Sequence, residues 1–167
     1  EEALRAAVEA AEARGTLVAA HVLAAEGIRR CVRAGVRSIE HCLWQEAAGE
    51  FRFDPDVAAE MAWRGIVAGL TFAGISQIRY LEAIGAAPPS NYGRWQAAFG
   101  QRYPSERQMI DAGVPYVIHS DAGVRETPFG VFWRCPAAAV FELGLRPWQA
   151  LRAVTHSAAQ LLGWKDM

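Results

Sequence analysis

The sequence lacks the features that mark several large classes of protein. Its three cysteines, Cys31, Cys42 and Cys135, are odd in number and widely spaced. They indicate neither a disulfide framework nor a zinc knuckle, and they favour a reducing compartment, for which we expect the cytoplasm. No apolar run approaches the roughly 20 residues of a membrane span, and the start of the chain has no signal-peptide layout. A formal net charge of −1 offers no basic surface to nucleic acid or to an anionic membrane.

What is present fits one globular domain. The chain has 167 residues, of which 52% are hydrophobic and 21% charged. That composition and length allow a sizeable core. The sequence contains no repeat of fixed period, no low-complexity tract and no interdomain linker. It opens directly in a helical pattern, without an initiator Met or a leading strand. We therefore expect residues 1–167 to be a piece of a longer protein.

Short apolar runs alternate with helical patterns along the chain. Four strands separated by helices predict a parallel sheet of the α/β class, because each parallel crossover needs a dozen or more residues. The region 72–104, rich in Pro, Gly and aromatic residues, is predicted as a long loop, either a lid or a satellite helix with a surface excursion. Gly35 and Gly65 are predicted to end the second and third helices, and Asp54 is predicted to cap the start of the third. The predicted strands are 16–20, 36–40, 66–70 and 114–118, and the predicted helices are 1–14, 24–34, 55–63, 105–112, 131–142, 147–154 and 156–162.

A polar residue follows each predicted strand: His21, His41, Thr71 and Asp121. The carboxyl ends of parallel strands lie on one rim, where chemistry gathers in such folds. Two imidazoles and one carboxylate meeting there have the ligand chemistry of a Zn²⁺-type site, which can activate water at neutral pH. A single His in such a position is more often a hydrogen-bonded structural residue, and strand ends also converge in folds that bind no metal. The recurrence of the pattern favours a metal site.

The order of several motifs resembles the metal-dependent amidohydrolase superfamily, in particular its imidazolonepropionase-like and prolidase-like branch. The resemblance covers nearly the whole chain. It implies a (β/α)₈ TIM-type barrel, of which residues 1–167 are the C-terminal half, with strands five to eight and their helices. The motifs are Ala20-His21, Ala34 to His41, Ala112 to Val114, Ser120 to Gly123, Gly144 to Leu151 and Thr155 to Gly163.

The resemblance also implies roles for three residues. His21 and His41 would be metal ligands from strands five and six. Asp121, at the end of strand eight, would be a ligand and the proton shuttle for the attacking water. The implied cofactor is a divalent metal, with Zn²⁺ favoured, as one or two ions in the complete protein. The implied reaction is hydrolysis of an amide, cyclic amide or dipeptide-like C–N bond by metal-activated water.

The sequence departs from the family pattern in three places. The family's His-x-His pair on the first strand and its carboxylated Lys on the fourth are not in this sequence, whose only Lys is Lys165. His119 stands where the family usually has a small residue, and it would either tune substrate choice at the rim or point away. We therefore expect this chain alone to be inactive. Its inner face, including Val18, Ile39, Val67 and Val117, would lie open.

The remaining candidates concern the substrate. Trp44, Thr71, His119 and Arg125 would contact it at the mouth of the site, and Arg125 could pair with a substrate carboxylate. The predicted partner is a small amide or peptide-like molecule, and a homo-oligomer stays open. Without a plausible base partner, Cys42 is not expected to be a nucleophile. The alternative from another class is a self-contained α/β binding or assembly module, in which the His and Asp residues only cap strands.

Overall fold

The computed structural model describes residues 1–87, 92–124 and 127–164, and it has the α/β architecture that the sequence predicts. Helices and strands alternate up to the third strand, two helices lie between the third and fourth strands, and a 3₁₀ helix and three α-helices follow among the described residues. Among the described residues, no helix has the length and apolar character needed to cross a membrane. In chain order the elements are α1 (Glu2–Glu12), β1 (Ala19–Ala24), α2 (Ala25–Ala34), β2 (Ser38–Gln45), α3 (Pro55–Arg64), β3 (Val67–Thr71), α4 (Ala73–Ala83), α5 (Tyr92–Asp111), β4 (Tyr116–His119), a 3₁₀ helix (Phe132–Arg134), α6 (Cys135–Leu143), α7 (Pro147–Val154) and α8 (His156–Leu161).

The four strands form one sheet in the order β1-β2-β3-β4. The pairs β1–β2 and β2–β3 are parallel, and Ser38 is the partner of Ala19 on one side and of Val67 on the other. Next to β4, the amide of Ala68 donates to the carbonyl of Pro115 at 2.9 Å. A parallel sheet with helical crossovers, built in sequence order, fits part of a (β/α)₈ barrel.

Contacts within the chain divide it into two compact units. One comprises Glu1–Gly69 and Ser105–Tyr116, and the other comprises Leu70–Pro104 and Val117–Met167. Each unit has its own buried apolar residues. In the first they include Ile28, Val36, Ile39, Trp44, Met61 and Met109, and in the second they include Phe72, Ile75, Ile118, Ala139 and Leu143.

Local signals placed several helix ends correctly. Asp54 caps α3 by accepting a hydrogen bond from the Val57 amide at 3.2 Å, and Pro55 occupies the first turn. Gly35 ends α2 and Gly65 ends α3 in the left-handed conformation, with φ of 82° and 67°. Glycine adopts that conformation without the strain that a Cβ introduces.

Strands β1 and β2 correct two predicted boundaries. Instead of ending before His21 and His41, they begin two or three residues later than predicted and include both histidines. The pairing of β1 with β2 shifts register between Val22 and Ala24 and then continues, with Ala24 opposite Gln45. A polar residue was therefore a poor marker of the strand end, since an irregular ladder can continue past it.

Region 72–104 is largely helical, which agrees with the satellite-helix alternative better than with a long loop. It contains all of α4 and most of α5, and α5 continues through Pro104. Buried side chains beside this proline hold the helix: Arg102 donates from Nη2 to the carbonyl of Thr71 at 3.1 Å. Tyr103 stacks on Phe72 with 6.0 Å between ring centroids. These contacts outweigh the local tendency of proline to end a helix.

The expectation of an open inner face is wrong for three of the four residues that carried it, whereas Val18 is half-buried. Ile39, Val67 and Val117 are all buried. Exposure is instead concentrated on β1, where only Val22 is buried. This is what an edge strand shows, because it has a neighbour on one side only.

Gly35 is the left-handed cap of α2 and Gly100 lies inside α5, so substitution by alanine should change the free energy of unfolding in opposite directions. Gly35→Ala should lower the free energy of unfolding by about 1 kcal/mol, because a Cβ strains the left-handed cap although nothing crowds it. Gly100→Ala should raise it by up to about 1 kcal/mol, because Gly100 lies within α5 in open space. Denaturant midpoints of both variants test this, and equal shifts of the same sign would contradict it.

Candidate functional site

His21 and His41 lie in contact on neighbouring strands. Their ring centroids are 4.5 Å apart, and the rings meet edge to face at 75°. His21 is exposed, whereas His41 is half-buried. The strand register pairs His21 with Glu40, so a regular strand would point His41 to the opposite face. His41 has a φ of 68°, which breaks that alternation and lets the two imidazoles meet.

Four non-glycine residues among those described have a positive φ. They are His41 at 68°, Cys42 at 49°, Trp44 at 55° and Asp121 at 56°. Each such residue costs about 1–3 kcal/mol, and such residues cluster at functional sites. Two of the four, His41 and Asp121, are among the three residues that the sequence predicts as ligands. Positive φ therefore occurs at one candidate ligand in each unit.

Residues 46–54, the return segment, leave the end of β2 and fold back along it. The Glu46 amide donates to the carbonyl of Glu50 at 2.8 Å, and the Arg52 amide donates to the carbonyl of Trp44 at 2.9 Å. An isolated antiparallel bridge joins Gln45 to Phe51. The return segment thus contacts Trp44, the last of the three strained residues of β2.

Trp44 is fully buried under this segment. It packs edge to face on Phe53, with ring centroids 5.5 Å apart. Its indole Nε1 is also buried and has no hydrogen-bond partner among the described residues. Trp44 is therefore a buried residue three positions after His41, and its predicted contact with substrate stays a prediction.

Glu40 has a partner on its own strand. The Ser38 hydroxyl donates to Glu40 Oε1 at 2.6 Å. Because residues two apart share a face of a strand, this bond holds the Glu40 carboxylate on the same face as Ser38. Glu40 is thus a half-buried carboxylate that is hydrogen-bonded within its own strand.

The other predicted residues belong to the second unit. Thr71 ends β3 and His119 ends β4, and both are half-buried. The Phe72 amide donates to the carbonyl of His119 at 3.3 Å. Asp121 is exposed, two residues beyond β4. Arg125 lies outside the described residues.

The donor set fits part of a zinc-type site. Two imidazoles in contact supply nitrogen donors of the kind that Zn²⁺ prefers. Within residues 1–87, 92–124 and 127–164, no group of three or more His, Cys, Asp or Glu side chains could hold a metal. The described structure thus brings together two of the three predicted ligands, and the role of Asp121 stays a prediction.

The cysteine beside His41 is chemically quiet. Burial raises the pKa of the Cys42 thiol, and the charge of nearby Glu106 raises it further. Its Sγ lies 3.7 Å from Sδ of Met109. Burial also raises the pKa of Cys31, and it raises the pKa of Cys135 to about 11. None of these thiols is suited to nucleophilic catalysis near neutral pH.

We expect the folded protein to resist alkylation. At pH 8 a thiol with a pKa of about 11 is only about 0.1% ionised, so Cys135 should react with iodoacetamide at least about 100-fold more slowly than a cysteine peptide. Cys31 and Cys42 should be slow as well, and all three should react after unfolding. Mass spectrometry of the labelled chain measures this, and rapid native labelling of Cys42 would contradict it.

Comparison with known proteins agrees with this architecture. The sequence model of the Amidohydrolase family matches residues 1–167. None of the curated proteins compared matches the chain. Among solved structures, Aspergillus niger ochratoxinase has a TM-score of 0.70 and 26% identity, over 95% of this chain and 33% of its own.

Two further structures are of prolidase type. A prolidase complexed with N-methylphosphonate-L-proline has a TM-score of 0.69 and 25% identity, over 98% of this chain and 37% of its own. An Xaa-Pro dipeptidase with methionine bound in its active site has a TM-score of 0.71 and 26% identity, over 98% of this chain and 38% of its own. The chain thus spans well under half the length of these structures. It belongs to the amidohydrolase family.

Proposed function

We propose that this protein takes part in metal-dependent hydrolysis of the amide bond of a small dipeptide-like substrate, with an Xaa-Pro dipeptide as the first candidate. The observation that carries the proposal is the contact between His21 and His41 on neighbouring strands. The substrate class is supported by the two prolidase-type structures. A cyclic amide remains the second substrate candidate, since the ring-opening reaction needs the same chemistry.

His21 and His41 would hold the divalent metal through ring nitrogens, and the Asp121 carboxylate would provide an oxygen ligand. When bound, the ion supplies Lewis-acid activation of water at neutral pH. Asp121 would accept a proton from the attacking water on a carboxylate oxygen and deliver it to the leaving nitrogen. Delivery of that proton lets the C–N bond break, because an amine leaves more readily than its anion.

The other candidates would bind rather than react. Arg125 would pair with the carboxylate of a dipeptide, which a guanidinium can bind with two parallel hydrogen bonds. Thr71 and His119 would lie at the rim, where a half-buried side chain can contact substrate. Trp44 would shape the apolar wall from beneath. These roles would favour a small substrate with an acidic end.

A non-catalytic α/β binding or assembly module is the alternative. The observation in its favour is that the described residues contain no group of three metal-binding side chains. In that case the two imidazoles would serve packing alone. Metal content separates the alternatives, because packing histidines bind no stoichiometric zinc.

We expect the whole protein to bind zinc through the paired imidazoles. His21→Gln and His41→Gln should each lower zinc affinity by at least about 100-fold, since even loss of a group that only orients a ligand costs 10–100-fold. His156→Gln is the control, because His156 is an exposed residue at the start of α8. Chelator competition and elemental analysis measure the affinity. Equal zinc binding by all four proteins would contradict the proposed site.

Asp121→Asn should lower turnover of an Xaa-Pro dipeptide by about 10²–10⁴-fold, because the amide cannot carry the proton. The side chain keeps its size, so the fold should persist, and the unfolding midpoint serves as the control. Proline release measures the rate. Turnover within a factor of two of the unsubstituted protein would remove Asp121 from the mechanism.

A further inference from the structure

Arg29 binds both ends of the return segment. From α2, its Nη2 lies 3.1 Å from Glu46 Oε1 and its Nε lies 3.2 Å from Asp54 Oδ2. The three side chains are each only about a quarter exposed, at 27%, 28% and 26%. Ion pairs shielded to this degree are less weakened by water and salt than fully exposed pairs.

The two carboxylates mark where the return segment begins and ends. Glu46 follows Gln45, the last residue of β2, and Asp54 is the cap of α3. One guanidinium therefore ties the end of a strand to the start of the next helix. A planar group with donors on two edges can do this, whereas a lysine ammonium is a single point on a flexible stem.

The strained part of β2 depends on what the return segment supplies. The Arg52 amide bonds the carbonyl of Trp44, and Phe53 packs on the Trp44 ring. Left-handed backbone at residues other than glycine persists only where the surroundings over-determine it. Loosening the return segment would remove such contacts from a strand stretch that includes His41, three residues before Trp44.

We propose that Arg29 is a positioning residue. By fastening residues 46–54, it holds His41 in the left-handed, ring-paired geometry and so sets the metal affinity of the His21–His41 pair. The attachment of residues 46–54 to α2 is argued from the two ion pairs of Arg29 alone. The effect on metal affinity rests on the proposed function. Arg29 itself need not contact metal or substrate.

The test compares Arg29→Gln with Arg30→Gln in the whole protein. Arg30 is the next residue of the same helix and pairs with Glu26 one turn earlier, at 2.9 Å. Trypsin cleavage after the exposed Arg52 reports opening of the return segment. We expect cleavage to be about tenfold faster in Arg29→Gln and unchanged in Arg30→Gln. Equal cleavage rates in the two variants would overturn the proposal.

Two further variants protect the test against misfolding and against a pure charge effect. Asp54→Asn keeps an oxygen for the helix cap but removes one ion pair, so cleavage after Arg52 should again be faster. Arg29→Lys keeps the charge but lacks the rigid planar arrangement of donors that spans the two carboxylates, so it should resemble Arg29→Gln. Full protection by Lys would show that charge alone suffices, which contradicts the bridging geometry.

Zinc affinity separates positioning from general stability. Arg29→Gln should bind zinc about 10–100-fold more weakly than Arg30→Gln, as for other groups that orient ligands. Faster cleavage with unchanged zinc affinity would overturn the positioning role. If even the unsubstituted protein binds no zinc, the proposed function and the effect on metal affinity both fail. The fastening of residues 46–54 is then decided by the cleavage rates.

Discussion

The left-handed stretch of β2 is the constraint on which the candidate site depends. A regular strand through His41 would turn this imidazole away from His21. With φ of 68° at His41 and 49° at Cys42, the two rings meet at 4.5 Å. Each of these residues and Trp44 costs about 1–3 kcal/mol, which is large against a typical stability of 5–15 kcal/mol. The neighbouring contacts must offset that cost.

The burial of the Trp44 side chain is a large favourable contribution that can offset the cost of this strain. Trp44 is fully buried, and an aromatic side chain of its kind removes about 150–250 Å² from water. At about 25 cal/mol per Å², this contributes roughly 4–6 kcal/mol. Trp44 thus adds to the strain through its positive φ, and its burial offsets much of the total cost. The return segment contacts Trp44 through the Arg52 amide and the Phe53 ring, and we infer that its fold and the geometry of His41 are energetically linked.

The sequence predicted the class of fold from short apolar runs, and the caps of α2 and α3 from Gly35, Gly65 and Asp54. These features are local, since a buried strand or a helix cap is written in a few adjacent residues. The helix through Pro104 was missed because its support comes from distant side chains. Arg102 bonds the carbonyl of Thr71, thirty-one residues away. No pattern in the sequence near Pro104 records that bond.

The candidate site shows the same division between local and distant information. The motifs around His21 and His41 predicted two ligand candidates, and the structure places their rings in contact. The positive φ at His41 could not be predicted, because β-strand patterns imply regular alternation. Arg29 was overlooked since an arginine on the polar side of a helix normally indicates solvent. Only the chain reversal at residues 46–54 brings Glu46 and Asp54 to it.

The return segment shows how a loop can take part in a site without supplying a reacting group. Loops at the carboxyl ends of parallel strands vary in length and carry specificity, while the strands keep the ligands in place. Here the division is less strict, because β2 itself departs from regular geometry at a candidate ligand. Its shape is maintained by a loop that is fastened from a helix. Changes in α2, remote from any bond being broken, can therefore reach the imidazole pair through Arg29 and the return segment.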